Sequence, residues 1–161
     1  MVQENSDCHC HCQILELRTQ EFLPMTPFKV AAPLAGNTLG SIDSSFVVAE
    51  WRDAGGSSES PRLIAPWHVH HKDDEAWYVL EGELRVRIGA EEVAVKAGAS
   101  AFVPRGTAHT YWNPAAEPAR YLLIMSPNIY GLIQELHAMK ERSRPLLEEV
   151  FRRHDSDLVE P

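Results

Sequence analysis

The sequence predicts an all-β domain, an antiparallel sandwich or barrel, followed by two short helices. Three observations carry that prediction. Between Phe46 and Met125, short runs rich in β-branched and aromatic residues recur with turn signals between them. Within several runs apolar and polar residues alternate, as a half-buried strand requires. After Ser126 the apolar period lengthens to that of an amphipathic helix. At 161 residues, 44% of them hydrophobic and 24% charged, the chain has material for one substantial core.

Taken in order, residues 1–12 read as a tail. Gln13 to Arg18 alternates well enough for a short strand, with Ile14, Leu15 and Leu17 as its apolar members. Glu21 to Asn37 holds Pro24, Pro27 and Pro33, which favour extended chain over helix. Phe46 to Trp51 is a strand by composition, and the Gly- and Ser-rich stretch Asp53 to Pro61 is a loop. Arg62 to His70 and Glu75 to Glu81 are the next strands, with a tight turn at Gly82. Leu84, Val86 and Ile88 alternate with Glu83, Arg85 and Arg87. A hairpin turn at Gly89-Ala90-Glu91 leads to a strand around Val93 and Val95. Ser100 to Val103, Ala108 to Trp112 and Ala119 to Met125 complete the series. Asn128 is expected to cap a helix carrying Ile129, Leu132, Ile133, Leu136 and Met139 on one stripe. Pro145 opens a second helix, with Leu146, Leu147, Val150 and Phe151 on its apolar side. The organisation is therefore a tail (1–12), a barrel with an N-terminal arm (13–126) and helices (127–161) that pack on the barrel or on a partner.

Charge narrows the function. Fifteen basic residues face 23 acidic ones, a net charge of −8, which argues against a nucleic-acid-binding face. The terminal helices repeat the sign: Lys140, Arg142, Arg144, Arg152 and Arg153 stand against Glu135, Glu141, Glu148, Glu149, Asp155, Asp157 and Glu160. No apolar run approaches the roughly 20 residues of a membrane helix. The first 30 residues lack the apolar region of a signal peptide. A cytoplasmic protein with no nucleic-acid or membrane partner is expected.

All three cysteines, Cys8, Cys10 and Cys12, alternate with His9 and His11. Their odd number and clustering exclude a disulfide framework. Strict alternation also lacks the two to four intervening residues usual between zinc-binding cysteines, so a tail is the better reading than a metal trap.

The chemistry gathers between Pro66 and Asn113. On a strand, His68 and His70 share a face. Glu75 opens the next strand after the polar turn 71–74, and His109 follows the turn signal Pro104-Arg105-Gly106. Three imidazoles and one carboxylate suit a divalent ion with open positions better than a closed structural zinc site. The alternative is an outward histidine pair with Trp67 and Val69 buried. Four ligand-type residues in mutually accessible positions weigh against it. His71 in its polar turn, and His137 and His154 on exposed-looking helix positions, take the plain surface reading.

These residues carry a family resemblance. His68-x-His70-x4-Glu75-x6-Gly82 resembles the first motif of the cupin family, and Gly98-x5-Pro104-x-Gly106-x2-His109-x3-Asn113 resembles its second. Where the first motif usually opens on glycine this chain has Arg62. The resemblance implies a double-stranded β-helix with a metal near one end of the barrel. It implies His68, His70, Glu75 and His109 as ligands of one divalent ion (Fe, Mn, Ni, Co or Zn). Gly82, Gly98 and Gly106 would serve turns, and Pro104 and Asn113 would set loops around the site. With the histidines inward, Pro66, Trp77, Val79 and Tyr111 share their face. Trp77, Val79 and Tyr111 are the expected substrate-pocket wall, aromatic and apolar, suited to a small organic ligand rather than a sugar phosphate.

The nearest resemblance within the family is to small single-domain, quercetinase-like cupins. It implies a dioxygenase acting on a small aromatic or enolic compound, with Glu75 both ligand and catalytic base. Two alternatives stand beside it: a zinc-dependent polyketide cyclase or isomerase, and a metal- or ligand-binding module without turnover. A homodimer is expected, since cupins commonly pair.

Overall fold

The computed structural model describes residues 34, 36–56 and 62–160. The tail, the cysteine run and the strand expected over residues 13–18 lie outside the described residues, as does much of the Gly- and Ser-rich loop.

Among the described residues ten strands and two helices follow one another: β1 (Thr38–Leu39), β2 (Val47–Asp53), β3 (His68–His70), β4 (Glu75–Glu81), β5 (Glu83–Ile88), β6 (Glu91–Lys96), β7 (Ser100–Val103), β8 (His109–Trp112), β9 (Ala119–Met125), α1 (Pro127–Ala138), α2 (Arg144–Arg153) and β10 (Ser156–Leu158). They form two five-stranded antiparallel sheets, ordered β1-β2-β9-β4-β7 and β10-β3-β8-β5-β6. This is the expected jelly-roll architecture of two facing sheets.

Alternation decides which side chains fill the space between the sheets. Along β4, Glu75, Trp77 and Val79 point inward and are buried, while Tyr78 is exposed. Along β9 the inward set is Ala119, Tyr121, Leu123 and Met125. Val47 and Ala49 of β2 and Leu84 and Val86 of β5 complete the core. Truncating a fully buried member such as Leu84 would cost about 2–5 kcal/mol. At Gly82 the β4–β5 turn takes φ +76°, and a Cβ there would stand 2.9 Å from the Pro118 carbonyl oxygen, so glycine is required.

The helices depart from expectation at one cap. Ser126, not Asn128, caps α1: its Oγ accepts from the Ile129 N–H at 3.2 Å. Asn128 instead uses its side chain to join distant segments, donating to Asp73 and to the His154 carbonyl at 2.8 and 2.9 Å. Leu132, Val150 and Phe151 form a second apolar cluster with Leu136, Met139 and Leu158.

Three strand readings also change. The run from Arg62 is strand only over His68–His70, with Leu63 making a single bridge to Trp112. β1 and β10 were not anticipated, because two or three residues show no period. β10 pairs antiparallel with β3, placing Ser156 opposite His70 and Leu158 opposite His68. Among the described residues no helix is long and apolar enough to cross a membrane.

Candidate metal centre

Three strands bring four ligand-type side chains to one point. β3 presents His68 and His70, two residues apart and inward. β8 pairs with β3 so that His109 lies opposite His68, and β4 contributes Glu75 from the facing sheet. All four are buried, none more than 4% exposed. One ligand atom from each lies within 4.8 Å of every other. His68 Nε2 is 3.1 Å from His70 Nε2, and His109 Nε2 is 2.9 Å from Glu75 Oε2.

The partners of the outer ring nitrogens fix the tautomers. His68 Nδ1 faces the Pro66 carbonyl at 2.7 Å, and His109 Nδ1 faces the Thr107 carbonyl at 2.9 Å. A carbonyl only accepts, so both Nδ1 atoms carry the proton. His70 Nδ1 lies 2.7 Å from Ser156 Oγ, whose own proton goes to the His154 carbonyl at 2.9 Å. Ser156 therefore accepts from His70. In their neutral forms all three imidazoles turn an Nε2 lone pair toward the carboxylate.

Such an arrangement suits a cation. Two lone pairs 3.1 Å apart repel unless something positive lies between them. Donors about 2.1 Å from a common ion stand about 3.0 Å apart at a right angle, close to the spacings found here. The set of three nitrogens and one carboxylate oxygen fits a divalent transition ion that keeps positions open. Electrostatics agree. Burial, then the neighbouring His109 and His70, lower the His68 pKa to about 3, so that ring stays neutral and able to ligate. Burial alone would raise the Glu75 pKa, but the hydrogen bonds that His109 and His70 give it when Nε2 is protonated in the metal-free chain outweigh burial and hold the carboxylate ionised, with a pKa of about 2; an ion would take the place of those protons.

A cavity of about 420 Å³ opens onto this cluster, reaching His68, His70 and Glu75. Its walls are largely apolar and come from both sheets and both helices, including Trp51, Ile64, Tyr111, Leu123, Ile129 and Phe151. Of the three residues expected to line a pocket, Tyr111 does. Trp77 and Val79 do not: fully buried, they belong to the core, with the Trp77 ring packed on those of His109 and Tyr111. The Tyr111 and Tyr121 hydroxyls lie 3.4 Å apart, and burial raises both pKa values, so both stay protonated.

Sequence reasoning missed Ser156 and Phe151, whose ring lies 5.5 Å from that of His68. Both come from the C-terminal segment, far along the chain from the histidines, and no local pattern links them. The surface reading holds for His71, exposed and paired with Asp157 at 2.8 Å. His154 departs only in position: it lies just beyond α2, partly buried, and its ring is hydrogen-bonded to Glu135 at 3.0 Å and Asn128 at 3.2 Å.

Residues 57–125 match the family model described as the cupin domain. Over those residues the chain carries a cupin domain. It is 33% identical over 92 residues to the tetracenomycin polyketide synthase protein TcmJ of Streptomyces glaucescens, a match covering 57% of this chain and 62% of that protein. It is 34% identical over 74 residues to the acetate kinase EutQ of Salmonella typhimurium, covering 46% of this chain and 31% of the relative. The chain thus spans less than two thirds of either curated relative. Among solved structures, a cupin protein from Bacteroides fragilis aligns with a TM-score of 0.51 at 15% identity, over 63% of this chain and 86% of that one, a likeness of fold.

Proposed function

We propose that the protein is a metal-dependent enzyme acting on a small aromatic or enolic compound. The observation that carries this reading is the largely apolar cavity of about 420 Å³ that ends on His68, His70 and Glu75. Such walls gain free energy by covering a flat apolar ring system, whereas a sugar phosphate would be left with few partners. His68, His70, Glu75 and His109 would hold a divalent ion, which would supply Lewis acidity and, if redox-active, redox chemistry.

The chain's own groups do the rest. Glu75 is the base nearest a substrate hydroxyl placed at the end of the cavity. Its pKa of about 2 makes it a weak acceptor while His109 and His70 hydrogen-bond to it, so its basicity depends on those nitrogens turning to another partner. Tyr111, protonated and on the wall, donates a hydrogen bond to a substrate oxygen. Leu123, Ile129 and Phe151 exclude water.

Two reaction types fit these roles. Dioxygenase-type oxidation is the first. The second is non-oxidative proton transfer, as in a zinc-dependent cyclisation or isomerisation, and the 33% identity to a polyketide synthase protein favours it. Metal analysis of protein purified without chelator or added metal, followed by oxygen-electrode assays with enolic and phenolic aromatics, separates them. About one equivalent of redox metal with substrate-dependent oxygen uptake supports the first. Zinc without oxygen uptake sinks it and leaves the second. A chain with no bound divalent metal that also fails to bind added metal would refute both.

A further inference from the structure

The cavity has two chemically different ends, and their separation follows from strand register. Glu75 and Val47 both stand opposite Met125 on β9, whereas Trp51 and Val79 stand opposite Tyr121. Four residues of strand separate these levels, about 13 Å at roughly 3.3 Å per residue. The helix α1 starts beside the metal end, just after Met125, and its far end reaches the Trp51 level: the His137 ring lies 5.5 Å from the Trp51 ring, edge to face.

At this far end the lining includes His137 and Arg142, both exposed at the rim. Arg142 is the one Lys or Arg among the described lining residues. Its Nη2 donates to the Leu136 carbonyl at 2.9 Å, which fixes the side chain against the last turn of α1. A guanidinium has five N–H donors, so most remain for another partner. Among the described residues no carboxylate lies within ion-pair distance of Arg142. Arg144 pairs with Glu148 and Glu160, and Arg153 with Glu135 and Glu149, whereas Arg152, which does not line the cavity, bonds like Arg142 to a backbone carbonyl, that of Glu148. In a chain of net charge −8, a guanidinium left without an acid at a cavity mouth is not the by-product of a basic surface.

Building on the aromatic-substrate reading above, we infer that Arg142, with His137 beside it, forms a subsite for an anionic group, and that the substrate is an aromatic acid bound with its carboxylate at the rim. The reacting enol or phenol then lies at the metal end, with the ring system along the apolar wall that runs about 13 Å from the Glu75 level to the Trp51 level. A rim position suits a carboxylate, which keeps part of its hydration while the planar guanidinium takes two of its oxygen lone pairs.

Fluorescence titration of the metal-loaded full chain with an anthracene carboxylate and the matching alcohol tests this. The carboxylate is expected to bind about tenfold more tightly than the alcohol. Arg142→Gln should bring the two affinities together, and Arg142→Lys should restore part of the preference. Equal binding of both probes by the natural chain overturns the subsite and leaves the aromatic reading standing. A carboxylate preference that survives Arg142→Gln but disappears when a chelator removes the metal places the anion at the metal and also overturns the subsite. Failure of both probes to bind the natural chain refutes the aromatic reading itself, and the subsite with it. Arg142 is exposed, so its variants are expected to fold, and an unchanged melting temperature confirms it.

Discussion

Asp74 takes three hydrogen bonds from Arg105, from its backbone N–H at 2.9 Å, from Nε at 3.0 Å and from Nη2 at 2.8 Å. Asp74 precedes Glu75, and Arg105 belongs to the turn that leads to His109. The neighbouring Gly106 N–H donates to the His70 carbonyl at 2.7 Å. The loops carrying the two ligand motifs are thus tied to each other next to the metal site. Asp74→Ala is expected to weaken metal binding by up to roughly tenfold while the fold persists, measured by competition with a chromogenic chelator. Unchanged affinity would show that the loops hold their positions without this pair.

Acid should destabilise the metal-free protein in two steps. For His68 the folded pKa, about 3, lies below the ordinary value of 6.5, because burial and the neighbouring imidazoles oppose the charge. Between those values the unfolded chain binds the extra proton, so stability is full above pH 6.5 and declines as pH falls toward 3. For Asp74 the hydrogen bonds from Arg105 lower the pKa from 3.8 to about 2, and its contribution is lost as pH falls across that lower window. Urea unfolding at a series of pH values should show the first decline disappear in His68→Gln and the second diminish in Asp74→Asn. An unaltered profile in His68→Gln would mean that this histidine is not the buried neutral group described.

Replacing His109 by alanine should remove most bound metal and leave a folded chain. His109 supplies one of four donors and pairs with Glu75, so both the ion and the carboxylate lose a partner. Elemental analysis with circular dichroism checks the two halves of this expectation. Full metal retention would show that the ligand set is wrong.

Ser156→Ala should reduce metal affinity about 10- to 100-fold with little change in the sheets, because His70 would lose the acceptor that fixes its tautomer and ring angle. Calorimetric titration with zinc reads the affinity. Loss comparable to that in His109→Ala would indicate local collapse, whereas no loss would show that β3 alone orients His70.

The chain is expected to pair with itself. Phe102, Tyr78 and Ile124 face outward on one sheet and are 60%, 40% and 37% exposed, apolar side chains that a second copy would cover. Multi-angle light scattering should give twice the mass of one chain, and a monomer would contradict the pairing.

The sequence disclosed those parts of the fold in which side-chain period and backbone agree. β4, β5, β7 and β9 alternate over four to seven residues, so their inward faces could be assigned, and the four ligands fell on inward positions. Trp77 and Val79 share the inward face, yet period two gives a face but not a depth; they are fully buried in the core and do not line the cavity. Asn128 resembled a cap by residue type, yet Ser126 occupies that geometry and frees Asn128 to reach Asp73 and His154. Ser156 could not be found from spacing, since its relation to His70 exists only once β10 lies against β3. Arg142 was counted simply as one charge among several in the terminal helices.

The pairing of β10 with β3 has a consequence for how the centre is assembled. Synthesis from the N-terminus delivers all four ligands by residue 109, but Ser156, the group that orients His70, comes 47 residues after His109. The same segment carries Phe151 against His68 and covers the outer edge of β3. The order of the chain therefore separates the arrival of the candidate donors from the arrival of the element that fixes their aim, and the geometry of the site depends on Ser156–Leu158 as well as on the barrel motifs.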